Sequence, residues 1–187
     1  TTINNVETLA SVSHILNRGA EWYKGLCLSN PKSTGTKLIS VCGHVQRPGN
    51  YEVTMGTPMK DLIFEMCGGM KPGRTLKAVI PGGSSVPIMT AAETEDCLLD
   101  YEGVVARGSM LGSAGMIVMD DSTDMVYQIW RLARFYAHES CAQCTQCREG
   151  TAWTTKILER ILAGKGKASD LDLLLSLSEN MTGKTIC

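Results

Sequence analysis

GTKLISVCGHVQRPGNYEV, residues 35–53, has the pattern of two strands joined by a turn. Residues 37–43 form a short, mainly apolar run, which is typical of a strand. Pro48 and Gly49 stand in turn positions between this run and a second extended segment. The stretch therefore predicts a β-hairpin and, around it, a domain built on a sheet.

The segment after the hairpin predicts one helix followed by further strands. In TPMKDLIFEMCGG (57–69), Thr57 suits the N-cap, Pro58 suits the first helical position and Gly68 suits the end. The apolar side chains that share one face of this helix are Met59, Leu62, Ile63 and Met66. LKAVIPGG (76–83) and GMIVMD (115–120) have the composition of strands. This order is typical of a β-grasp (ubiquitin-like) domain, which we predict for residues 36–120.

Residues 1–35 predict a loop, a helix and a boundary. Asn5 is the expected N-cap and Gly19 the expected C-terminal glycine of a helix with an apolar stripe from Val6 to Leu16. SNPKSTGT (29–36) is rich in turn formers and predicts the boundary to the sheet domain.

Residues 121–187 are predicted to be helical. Three segments carry apolar side chains at helical spacing, and they cover residues 121–140, 151–164 and 169–181. Ser169 is the expected N-cap of the last. Short amphipathic helices bury their apolar faces against one another, so a small all-α bundle follows. The predicted fold class is α+β: a β-grasp domain followed by a small all-α helical bundle.

Cysteine spacing indicates a metal or iron–sulfur site carried by this bundle. Of eight cysteines, Cys27, Cys42, Cys67 and Cys97 are scattered singly and are expected to be free, mostly buried thiols. ESCAQCTQCREG (139–150) holds Cys141, Cys144 and Cys147, and clustered thiols without a secretory signal favour a metal over disulfides. On a regular helix the first and third thiols would diverge by about 120°, so the segment is expected to be a loop.

Cys187 is the candidate fourth ligand. It follows the third predicted helix, and a bundle could fold it back beside the triplet. Four cysteines are the usual complement of a [4Fe–4S] cluster, which is the favoured interpretation. A structural zinc site, with the nearby His138 substituting for one thiol, stays open as an alternative, as do unligated thiols.

Charge and hydropathy exclude other classes. The formal net charge is −1, so no basic field attracts nucleic acid. No apolar run approaches the roughly 18 residues of a membrane span, so direct membrane insertion is not expected. The chain starts at Thr1 and ends on Cys187, and both ends predict a fragment of a longer protein.

Several motifs together resemble one family. ESCAQCTQCREG, GTAW and GKTIC are similar to the ESCGxCTPCREG and GxTxC signature of the NADH-binding flavoprotein (the F subunit) of respiratory complex I, and TTINNVETLA and GTKLISVCGHVQRPGNYEV are similar to further stretches of it. The resemblance runs over the whole chain and identifies it as a C-terminal fragment. Two departures concern the cysteine loop: Ala142 stands for the usual Gly, and Gln146 for the usual Pro.

The resemblance implies a chemistry. The family passes a hydride from NADH to FMN, which hands electrons singly to a [4Fe–4S] cluster. The cluster ligands carry over to Cys141, Cys144, Cys147 and Cys187, and the FMN contacts to Ile3, Asn4, Asn5 and Thr8. From the residues alone, helix capping is the simpler role for the two asparagines. Arg148 and Lys184 are candidate cations that raise the cluster potential, although both are equally well explained as surface charges.

The resemblance also implies a larger assembly. Residues 1–35 would be the tail end of a flavin-binding domain, residues 36–120 the β-grasp domain and residues 121–187 the cluster domain. Most of the FMN and NADH site is expected to lie outside this chain, which alone is expected to be inactive. The implied enzyme is a translocase-type NADH:quinone oxidoreductase (EC 7.1.1).

Partners and location follow from the same resemblance. The implied partners are other peripheral-arm components of complex I, especially its [2Fe–2S] E subunit and its iron–sulfur G subunit. The implied location is the cytoplasmic face of the bacterial inner membrane, or the matrix side in mitochondria. The flavoprotein component of an NAD-linked hydrogenase or formate dehydrogenase is a second interpretation, and a zinc-stabilised docking module without a redox role is a third.

Overall fold

The computed structural model describes residues 2–29 and 32–187. It divides into two compact units, Thr1–Ser122 and Thr123–Cys187. Asn30 and Pro31, which belong to the predicted turn-rich boundary, and Thr1 lie outside the described residues. The finer division into segments 1–35, 36–120 and 121–187 stays a prediction.

The first unit is built on a five-stranded mixed sheet. Its strands are β1 Thr36–Gly43, β2 Gly49–Thr54, β3 Leu76–Ile80, β4 Met89–Thr90 and β5 Gly115–Asp120. Their spatial order is β2-β1-β5-β3-β4. β1 and β5 run parallel, while the pairs β1–β2, β3–β5 and β3–β4 are antiparallel. The fold is therefore of the mixed α/β kind, with strands and helices in one unit.

The predicted hairpin is confirmed. β1 and β2 pair in register from Thr36 opposite Thr54 to Val41 opposite Gly49. Side chains of β1 alternate, because Ile39 and Val41 are buried in the core while their neighbours face outward. The apolar face of the sheet is fixed by this alternation.

The predicted helix after the hairpin differs from the observed one. The structure forms a π-helical segment, Asp61–Met66, instead of an α-helix that starts at Pro58. Thr57 does not cap it, because its hydroxyl donates to the carbonyl of Thr54. Met59 N donates to Cys97 O, and Leu99 N donates to Thr57 O, so the residues before Asp61 pair with a distant segment as an antiparallel β-bridge. The helix therefore begins only after this bridge.

The predicted apolar face of this segment is nevertheless buried. Met59, Leu62 and Ile63 have no exposed surface and pack into the core of the first unit. The apolar side chains that complete this core come from the sheet and from the segments around Leu99, Val104 and Leu111. Two short helices in this part, α3 Ala91–Thr94 and α4 Tyr101–Ala106, were not predicted.

The first helix of the chain, α1 Val6–Arg18, has the predicted ends. Asn5 Oδ1 accepts a hydrogen bond from Glu7 N at 3.1 Å, and Gly19 has a φ of 89°. A short helix, α2 Ala20–Lys24, follows. The apolar stripe of α1 is exposed, and a side-chain tether joins the start of the helix to β1. That tether is Glu7, whose carboxylate accepts from Lys37 Nζ and Leu38 N, each at 2.8 Å.

The second unit contains three helices: α5 Met125–Glu139, α6 Thr145–Leu162 and α7 Ser169–Met181. α6 lies against both of the others. Two details differ from prediction. α6 starts at Thr145, ahead of the predicted start at Thr151, and Ser169 is the first residue of α7 without a capping bond. None of the described helices combines the length and apolar character that a membrane span requires.

An ion pair joins α6 to the start of α7. Asp170 is buried, and its carboxylate accepts from Arg160 Nε at 3.1 Å, from Arg160 Nη2 and from Lys167 N at 2.9 Å. The bonds from Arg160, and then that from the Lys167 amide, hold the pKa of Asp170 below its ordinary value. A depressed pKa contributes stability above the unfolded-state pKa, and this contribution is lost as the pH falls through the folded-state pKa.

We expect Asp170→Asn to lower the thermal unfolding midpoint of the second unit by on the order of 5 °C at pH 7. The difference from the unsubstituted chain should shrink below about pH 4, where the unfolded-state carboxyl protonates. Thermal unfolding followed by circular dichroism at pH 7 and pH 3 measures both effects. Asp172→Asn, at an exposed position of the same helix, is the control. Equal midpoints for the two variants at pH 7 would contradict the assigned role of the pair.

Candidate metal centre

The cysteine triplet lies where the loop after α5 runs into α6. Cys141 is in the loop, Cys144 occupies the N-cap position of α6 and Cys147 lies in its first turn. The prediction that all three stand in a loop is therefore wrong for Cys147. The reason is local: Cys147 N and Arg148 N both donate to the carbonyl of Cys144, at 3.1 and 3.0 Å, which starts the helix there.

Hydrogen bonds fold this loop onto the first turn of α6. Ser140 Oγ lies 3.4 Å from Cys147 Sγ and accepts from Ala142 N at 3.3 Å. Arg148 Nη1 donates to the carbonyl of Ala142 at 3.1 Å. The loop is thus fixed at both the N–H and the carbonyl of Ala142, the residue after Cys141.

Ala142 adopts a backbone conformation that favours glycine. Its φ is 62°, in the left-handed region where a Cβ meets the carbonyl oxygen. The family pattern has Gly at this position, so the departure noted in the sequence carries strain.

We expect Ala142→Gly to raise the free energy of unfolding of the second unit by about 0.5–1 kcal/mol, since relief of left-handed strain exceeds the entropy that glycine adds to the unfolded chain. Chemical denaturation measures the change. Ala137→Gly, inside α5, is the matched control and should lower the same free energy by up to about 1 kcal/mol. A loss of stability in Ala142→Gly would contradict the strain.

Cys187 lies at the end of a segment that bonds to α6. Gln146 Nε2, in the first turn of α6, donates to the carbonyl of Lys184. Lys184 N donates to Met181 O at 3.1 Å, and Thr185 Oγ1 donates to Cys187 O at 3.0 Å. The backbone that carries Cys187 is therefore tethered to a residue that stands between two cysteines of the triplet.

A close contact between two helices also places the end of α7 near the start of α6. A Cβ added to Gly150 of α6 would stand 2.7 Å from Met181 Sδ, so α6 and the end of α7 come near each other. A groove between these helix ends is lined by Thr145, Gln146, Glu149, Trp153, Leu177 and Asn180, together with this pair. The start of α6 and the end of α7 are thus neighbours.

The thiols themselves do not form a ligand set in the described residues. None of the eight cysteines forms a disulfide, and no group of three or more His, Cys, Asp or Glu side chains in residues 2–29 and 32–187 is arranged to hold a metal ion. His138, in the last turn of α5, belongs to no such group among the described residues. The donor chemistry still fits a cluster, because the four cysteines of two tethered segments are the complement that a [4Fe–4S] cluster requires.

The two predicted cations have other partners. Arg148 Nε pairs with Glu149 at 2.9 Å, and Lys184 Nζ donates to Asn180 Oδ1 at 3.3 Å. Sequence reasoning missed the bond from Gln146, although the replacement of the usual Pro by a side chain with an N–H donor is a visible signal for it.

The predicted flavin contacts belong to the first unit. Ile3, Asn4, Asn5 and Thr8 are exposed: the first three precede α1, and Thr8 lies in its first turn. Asn5 uses its side-chain oxygen as the helix cap. A groove of about 370 Å³ beside α1 is lined by other residues, among them His14, Arg18 and Trp22.

Comparison with known proteins identifies the family. The NADH-ubiquinone oxidoreductase-F iron-sulfur binding region matches residues 127–187, and the SLBB domain matches residues 37–127. The NADH-quinone oxidoreductase F subunit of Rickettsia bellii is 48% identical over 188 residues, which cover 100% of this chain and 45% of that protein. The chain belongs to the F-subunit family of NADH-quinone oxidoreductases. A second F subunit of Rhizobium meliloti is 49% identical, with 100% and 44% covered.

Solved structures from another enzyme class are also similar to this F-subunit chain. NAD+-reducing [NiFe]-hydrogenase in the H2-reduced state superposes with a TM-score of 0.85 at 35% identity, covering 100% of this chain and 31% of that chain. The air-oxidized state gives 0.83 at 34% identity, with 100% and 31% covered. The chain spans less than half the length of the curated relatives it matches.

Proposed function

We propose that this chain holds one [4Fe–4S] cluster on Cys141, Cys144, Cys147 and Cys187 and accepts electrons that originate from NADH through FMN. The observation that carries the proposal is the tether between Gln146 and Lys184, which joins the two segments that hold these thiols. The match of residues 127–187 to an iron–sulfur binding region supports the same four ligands.

The architecture proposed for this function has three parts. Residues 36–120 form a β-grasp domain, which the SLBB match over residues 37–127 supports. Residues 121–187 form the cluster-binding bundle. Residues 1–35 complete a flavin-binding domain whose remainder lies outside this sequence, in keeping with the 45% coverage of relatives.

The bound cluster supplies a one-electron acceptor. The residues of this chain would set its environment: the thiolates would hold it, and the Ser140 hydroxyl, 3.4 Å from Cys147 Sγ, could donate to that sulfur and offset its negative charge. The backbone N–H groups at the start of α6 place positive partial charge on the same side. Arg148 contributes less, because Glu149 offsets its charge.

The proposal also covers the FMN contacts and the enzyme to which the chain would belong. Ile3, Asn4, Asn5 and Thr8 are proposed to contact FMN, with the amide of Asn4 and the N–H donors of Asn5 available to it. The enzyme would be a translocase-type NADH:quinone oxidoreductase (EC 7.1.1), and the chain alone would be inactive. Its partners would be peripheral-arm components, including the E and G subunits, on the cytoplasmic face of the inner membrane or the matrix side in mitochondria.

The structural comparison supports a second candidate function. The TM-score of 0.85 to an NAD+-reducing [NiFe]-hydrogenase fits a flavoprotein component that serves a hydrogenase. The higher identity to quinone-linked relatives, 48% against 35%, makes the quinone-linked role the first choice. Proteins that copurify with the chain from its native host distinguish the two.

Metal and sulfide analysis tests the cluster. After anaerobic reconstitution we expect about four iron and four sulfide per chain, a visible absorption band and a low-temperature EPR signal on reduction. Stoichiometric zinc without sulfide would instead support the docking module. Tight retention of FMN by this chain would contradict the placement of most of the flavin site outside it, and NADH–ferricyanide activity would contradict its proposed inactivity.

A further inference from the structure

We propose that Gln146 is a positioning residue that docks the C-terminal segment, residues 182–187, on the start of α6 before any cluster is bound. The biological role of this docking rests on the proposed cluster function. The docking itself is a property of the protein chain and can be measured without iron.

The geometry gives Gln146 this role. It is the second residue of α6, between Cys144 and Cys147, and its side-chain N–H reaches the carbonyl of Lys184. Lys184 comes three residues before Cys187, and its own N–H is bonded to Met181 at the end of α7. The segment is therefore held from α7 on one side and from α6 on the other.

The hydrogen bond from Gln146 restrains the C-terminal segment when no iron joins the thiols. Cys187 and Cys141 are exposed, whereas Cys147 is partly buried and contacts Ser140 Oγ. Without the bond from Gln146, the residues after Thr182 would be restrained on the side of α7 alone. The ordering entropy of this segment would then oppose cluster binding by the fourth ligand.

The residue that the family usually carries makes a clean test. Proline has no side-chain donor, but it is tolerated in the first turn of a helix, where the backbone N–H has no partner within the helix. Gln146→Pro therefore removes the bond to Lys184 and keeps α6, whereas Gln146→Ala removes the same bond and keeps the backbone N–H. A shared effect of both variants isolates the side-chain bond.

Two measurements on the full chain test the docking. Hydrogen exchange of the Lys184 amide reports docking in the iron-free protein, because its bond to Met181 O opens more often when the segment is held from α7 alone. Iron release to a ferrous chelator reports the stability of the reconstituted cluster. In Gln146→Ala and Gln146→Pro we expect protection to fall, and iron release to accelerate, by about two- to tenfold, the range for loss of one neutral hydrogen bond. Gln143→Ala, an exposed glutamine of the same loop, is the control and should change neither.

The outcomes separate this proposal from the proposed function. Equal protection in Gln146→Ala, Gln146→Pro and Gln143→Ala overturns the docking role, whether or not the chain binds iron. Failure of the unsubstituted chain to take up iron and sulfide overturns the proposed function alone, and lower protection in the two Gln146 variants then still supports docking. An unprotected Lys184 amide in the unsubstituted chain also overturns the docking role.

Discussion

Cys147→Ala is expected to reduce the iron and sulfide retained after reconstitution by more than about tenfold, since loss of a direct ligand exceeds the tenfold or greater cost of losing an outer-shell partner. Cys147 is a proposed ligand that lies in the first turn of α6 and contacts Ser140 Oγ. Removing its thiol leaves the bonds of Ala142 and Lys184 in place, so the effect reports ligation and not folding.

Iron and sulfide analysis, with EPR of the reduced protein, measures this loss. Cys42→Ala is the matched control, because Cys42 is also an accessible thiol but lies on β1 of the first unit. It should retain the full content. Unchanged iron and sulfide in Cys147→Ala would remove Cys147 from the ligand set and contradict the four-cysteine site.

The second large effect concerns the core of the first unit. Leu62 lies on the π-helical segment with no exposed surface and packs among the apolar side chains of the sheet. Leu62→Ala is expected to lower the free energy of unfolding of this unit by about 2–5 kcal/mol, because the transfer energy of the side chain is lost and a cavity remains.

Hydrogen exchange of the β1 and β5 amides under denaturant reports this unit apart from the helical one. Leu38→Ala is the control, since Leu38 stands on β1 with 52% of its surface exposed, and it should cost less than about 1 kcal/mol. Equal losses in the two variants would contradict the assignment of Leu62 to a close-packed core.

Secondary structure with a local cause was predictable. The β1–β2 hairpin follows from an apolar run and a Pro-Gly turn, and α1 follows from a capping asparagine and a terminal glycine. Asp170 shows the limit of such reasoning. The capping pattern pointed to Ser169, whereas the bonds at this helix end join Asp170 to Arg160, a residue of another helix.

The segment after the hairpin could not be predicted in detail for the same reason. Thr57 and Pro58 carry the local signals of a helix start, but pairing with Cys97 and Leu99, which lie far along the chain, prevails. Local propensities of this kind amount to about 1 kcal/mol, which several long-range hydrogen bonds and a buried face readily exceed.

The sequence by itself determined the thiol inventory, the family and the β1–β2 hairpin, because each depends on residue type and short spacing. Only the tertiary structure decided that Gln146 holds Lys184 and that Arg160 pairs with Asp170. Both features depend on where the chain returns in space. A hydrogen bond across 38 residues leaves no periodic trace in the sequence between its ends.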